Sequence, residues 1–111
     1  LEASGMLPTA LAIFLQGSAA LSTPANFGDG LRCAGGQLLR LAVKGSVNGT
    51  ARYPEGAEPS IAARNAQLGF PLAPGAVTVH QTYYRDPVAA FCPNPPGNNW
   101  NVTNALKLQW P

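Results

Sequence analysis

The sequence is short of charge. Seven Lys or Arg and five Asp or Glu amount to 11% of its 111 residues, against about 25% in an ordinary soluble domain. That scarcity excludes a charged disordered tail and a charge-laced coiled coil. The cations Arg32, Arg40, Lys44, Arg52, Arg64, Arg85 and Lys107 never stand side by side. No run exists that would track a phosphate backbone, so nucleic acid is not an expected partner. Histidine and methionine occur once each and cysteine twice, too few for a metal-ligand set, and no metal or cofactor is expected. Long apolar runs are missing too. The longest, residues 7–15, is broken by Pro8 and Thr9 and falls short of the roughly 20 residues a spanning helix needs. No basic n-region opens the chain, which reads as a mature or excised piece without a signal peptide.

Turn formers are abundant: 12 glycines and 11 prolines, nearly double average usage. A hydrophobic share of 46% is diluted by alanine, and the length allows one small domain. Cys33 and Cys92 both lie beside turn residues, too far apart for a redox C-x-x-C pair. An even cysteine count in a small Gly/Pro-rich chain indicates one disulfide and an extracytoplasmic, secreted home. Its closure would stabilise by roughly 4 kcal/mol. The alternative is two buried thiols.

Residues 1–8 read as a linker and 9–111 as a single domain. Residues 9–16 form an apolar run of strand length, and 17–30 a loop with a short strand near 19–21. Residues 37–44 alternate as a strand. Asn48-Gly49 is a hairpin turn returning through 50–53. Residues 60–68, with Ser60 at the N-cap and Gly69 as the stop, read as a two-turn helix. Residues 76–84 form the strongest strand, 93–101 a long loop, and 104–110 a closing strand with Leu106, Leu108 and Trp110 inward. The pattern predicts an all-β, antiparallel β-sandwich of jelly-roll or Ig-like type with one short helix at about 60–68. Leu39, Leu41, Val43, Val77, Val79, Leu106 and Leu108 are expected to share one core.

Catalysis finds little support. His80 lies mid-strand with Asp86 six residues on, but no Gly-x-Ser-x-Gly elbow accompanies them. Asp29, Glu55, Glu58 and Asp86 are scattered through loops rather than paired for glycoside hydrolysis. No catalytic residue is assigned. The aromatic residues are the better ligand candidates. Trp100 stands in a Pro- and Asn-rich loop beside Asn98 and Asn99. Strand alternation turns Tyr53 and one of Tyr83 or Tyr84 outward. Rings beside amides can stack on sugars and bond their hydroxyls. Trp100, Asn98, Asn99, Tyr53 and Tyr84 are therefore the expected ligand-binding set. The competing role for Trp100 is to plug the sandwich edge.

The stretch Phe27-Gly28-Asp29-Gly30-Leu31-Arg32-Cys33-Ala34-Gly35-Gly36, followed by Tyr83-Tyr84-Arg85-Asp86-Pro87 and Asn101-Val102-Thr103-Asn104-Ala105, resembles a recurrent secreted module. It is similar to a domain found, often at the C-terminus, in predicted extracellular proteins of myxobacteria and planctomycetes. The resemblance implies secretion and a β-domain attached to larger proteins, and carries over no site residue. The expected function is a secreted, non-catalytic accessory or binding module for polysaccharide or cell envelope. Its rivals are a structural subunit, contacting other copies or neighbouring domains of an extracellular assembly, and a small secreted hydrolase.

Overall fold

The computed structural model describes residues 1–87 and 99–111. Its elements, in order, are β1 (Glu2–Ala3), β2 (Leu11–Phe27), β3 (Gly30–Gly45), β4 (Ala51–Arg52), α1 (Ile61–Gln67), β5 (Val77–Arg85), β6 (Trp100–Val102) and β7 (Leu106–Gln109). The fold is all-β, antiparallel and sandwich-like, with one short helix. The main sheet runs β3-β2-β5, and both β6 and β7 add to the free edge of β5; β1 and β4 form a separate ribbon.

Between Phe14 and Leu15 of β2 the pairing with β3 slips, and it slips again after Gly17 and after Ala20. These bulges let the outer half of the β2–β3 hairpin bend across the sheet instead of extending it. Gly17 and Gly35 make the bend feasible. A Cβ on Gly17 would stand 2.5 Å from the Gly35 oxygen, and one on Gly35 2.5 Å from the Leu21 side chain. The strand thus continues from Gly17 through Phe27, where turn-forming composition predicts a loop, because ladder pairing with β3 overrides local propensity.

Each sheet face acquires its own core. One gathers Phe14, Ala12 and Leu41 beneath Ala3, Met6, Ala51 and Tyr53, with Ile61 of α1 alongside. The other gathers Leu15, Val79 and Ala34, flanked by Leu38, Tyr83 and Ala105. The single shared core expected from alternation is therefore corrected. Val43 is 57% exposed and Leu106 50% exposed, since alternation assigns side chains to faces but does not say how far the covering layer reaches.

Residues 1–8, which read as a linker, carry β1 and two of the buried core residues. The Asn48-Gly49 turn forms as expected, both residues at positive φ, with Val47 and Thr50 bonded across it. Its return strand pairs with β1, not with β3. Helix α1 has the expected boundaries: the Ser60 hydroxyl accepts from the Ala63 N–H, and Gly69 turns the chain at φ +84°. It is pinned to the sheet by a reciprocal amide pair, Gln16 Nε2 to Asn65 Oδ1 at 2.7 Å and Asn65 Nδ2 to Gln16 Oε1 at 3.0 Å.

Candidate functional site

The tip of the bent hairpin lands on β6. The Asp29 N–H donates to the Trp100 carbonyl at 3.1 Å, and Gly28 lies so close beneath the indole that a Cβ there would sit 2.6 Å from Cε3. Only glycine fits, and its φ of +63° is one that glycine adopts without strain. Phe27 meets Trp100 edge to face at 4.4 Å between centroids and Tyr83 at 5.5 Å. Tyr83 and Trp100 are 6.0 Å apart. Three rings from three strands thus interlock at distances typical of favourable aromatic pairs.

This cluster forms one wall of an open hollow of about 400 Å³, lined among the described residues by Leu11, Ile13, Phe27, Arg40, Tyr83, Tyr84, Arg85, Asn99 and Trp100. Trp100 faces Arg85 across the β5–β6 ladder, and the Asn99 carbonyl accepts from the Asp86 N–H at 2.9 Å, which fixes the rim. Burial first, and the Asp86 charge second, push the Tyr84 phenol above its ordinary value. It therefore keeps its proton at neutral pH and both donates and accepts.

Three of the five expected ligand residues, Trp100, Tyr84 and Asn99, border the hollow, with Tyr84 also packed against the Phe14 core on the opposite sheet face. Asn98 lies outside the described residues. Tyr53 is corrected: it is 2% exposed, and its hydroxyl donates to the Pro59 carbonyl at 3.0 Å. The β1–β4 ribbon folds that strand face inward, against the expectation from alternation. Trp100 combines both roles weighed for it, wedged against the hairpin tip while lining the hollow. Phe27 and Tyr83 belong to the site although sequence reasoning did not select them; the one local signal was the aromatic residue opening the Phe27–Gly30 turn.

The residues weighed and set aside as catalytic candidates lie apart. His80 is 3% exposed, and its Nε2 bonds the Thr78 hydroxyl at 2.8 Å rather than a carboxylate or serine. Glu58 and Glu55 hold Lys44 at 2.8 and 3.3 Å instead of pairing with each other over a substrate. Cys33 is a half-buried free thiol among the described residues; Cys92, its expected disulfide partner, lies outside the described residues. The Cys33 N–H is held by a side chain the sequence did not flag. Gln81 Oε1 accepts from Cys33 N at 2.7 Å and Ala34 N at 3.0 Å, while its Nε2 donates to the carbonyls of Leu31 and Thr103 at 3.1 and 2.8 Å.

Comparison with protein families, with curated proteins and with solved structures gives no match.

Proposed function

We propose that the chain is a non-catalytic binding module working outside the cytoplasm, and that the Trp100 hollow takes a polysaccharide. The supporting observation is the convergence of Trp100, Tyr84 and Asn99 with Phe27 and Tyr83 around one open hollow. Rings presented on paired strands lose little freedom on stacking against a sugar. The Asn99 amide bordering the hollow matches the mixed donor and acceptor character of sugar hydroxyls. An open hollow suits a chain ligand that enters from the side.

Retention on a panel of insoluble polysaccharides, with affinity electrophoresis for soluble ones, tests this reading. Wild type should bind at least one glycan. Tyr84→Ala and Trp100→Phe should weaken it by tenfold or more, taking roughly 1.4 kcal/mol or above as typical of a well-placed aromatic contact. Trp110→Phe is the control: Trp110 sits elsewhere and its indole N–H donates to the Thr78 hydroxyl at 2.9 Å, so its loss should lower stability and leave retention intact. Absence of binding to every glycan, or unchanged retention by folded Tyr84→Ala and Trp100→Phe proteins, would overturn the proposal.

A further inference from the structure

We propose that the glycan taken by the Trp100 hollow is anionic, its sugars carrying carboxylate or sulfate groups; this rests on the glycan reading above. Two arginines, Arg40 from β3 and Arg85 from β5, line the same hollow as the aromatic rings, and no acidic residue does so among the described residues. A third, Arg32, lies over the outer ring of that cluster with its Cζ 5.4 Å from the Phe27 centroid.

The chain's few acidic residues are placed so that none of those described lines this hollow. Three of the five acidic residues are engaged away from the hollow: Glu2 with Arg52 at 2.6 Å, and Glu55 and Glu58 with Lys44. Asp29 and Asp86 each have an interaction of their own, and neither lines the hollow. The Asp86 charge reaches Tyr84. Arg40 and Arg85 enter none of the ion pairs formed among the described residues.

A guanidinium fork presents two parallel N–H donors that match a carboxylate or sulfate edge. Placed at the rim of an aromatic platform, it would grip the acidic substituent of a sugar whose ring stacks on Trp100. A neutral glycan would leave both forks facing water and gain only the stacking. The paired β5–β6 edge fixes Arg85 directly opposite Trp100, so ring and charge are offered to the same sugar or to its neighbour.

Matched ligands decide the matter. Polygalacturonate and its fully methyl-esterified form share a backbone and differ in charge; dextran sulfate and dextran form a second such pair. Binding of at least one acidic member should exceed that of its neutral twin by roughly tenfold, and should weaken as salt rises to a few hundred millimolar. The preference between polygalacturonate and dextran sulfate identifies the acidic group. Arg40→Gln and Arg85→Gln should each abolish most of the difference within the preferred pair. Lys107→Gln, which removes the same net charge outside the hollow, should leave it in place. Equal binding of acidic and neutral twins, or a preference that survives both Arg variants or collapses equally with Lys107→Gln, overturns the anionic assignment and leaves the glycan reading standing. Absence of wild-type binding to all four polymers overturns this inference, and the wider polysaccharide panel then decides the glycan reading independently.

Discussion

Gln81 satisfies all four of its amide hydrogen-bonding positions with main-chain groups from two segments: Leu31, Cys33 and Ala34 of the hairpin and Thr103 after β6. Replacing it by Leu would leave two N–H and two C=O groups without their partner. At about 1–3 kcal/mol for each buried group left unsatisfied, partial relaxation still implies a loss of about 3 kcal/mol or more, read as a lower urea midpoint. A loss below about 0.5 kcal/mol would show that the clamp carries no stability. His80 makes the other residue-level prediction. Burial above all, with the Leu1 ammonium adding to it, pulls the imidazole from its ordinary value down to about 4. The unfolded chain therefore takes up a proton on acidification through pH 6.5 that the folded chain refuses until about pH 4. This stability is fully present above pH 6.5 and is lost between there and pH 4, to the extent of about 3 kcal/mol. Urea unfolding at pH 7 and pH 4.5 should show most of that loss in wild type and little of it in His80→Leu; parallel losses in both would exclude His80 as the source.

At the scale of elements, α1 shows how a short helix is retained. Seven residues are too few for independent helical stability. The Ser60 cap is worth about 1 kcal/mol, and the Gln16–Asn65 amide pair secures the helix to β2. Because each amide is the other's buried partner, Gln16→Leu and Asn65→Leu should each cost more than half of what the double variant costs. The coupling in a double-mutant cycle is expected at about 1 kcal/mol or above; strict additivity would mean that the pair does not act as a unit. The cap and the Gly69 stop are local signals, readable from Ser60 and Gly69 in place. The amide pair joins positions 49 apart and leaves no pattern in either segment.

For the whole molecule, the two faces of the sheet hold separate cores, and truncations should respect that division. Leu41→Ala should cost about 2–5 kcal/mol as a buried leucine deletion, Val79→Ala somewhat less, and the two should add, since they belong to different clusters. Leu106→Ala should stay within about 0.5 kcal/mol, in keeping with an exposed site; a loss of 2 kcal/mol there would restore the single-core expectation. The all-β class, the Asn48-Gly49 turn, the helix limits and the candidacy of Trp100 with Asn99 and Tyr84 were determined by the sequence alone, because alternation, turn chemistry and capping act between residues a few positions apart. Tertiary structure alone decided that β4 pairs with β1, that Tyr53 is buried, that Leu106 is not, and that Phe27, Tyr83 and Arg40 join Trp100. Those outcomes depend on where the β2–β3 ladder slips and on how closely Gly17 can approach Gly35. A two-residue period says which side chains share a face, but only the bend of the hairpin determines what covers it.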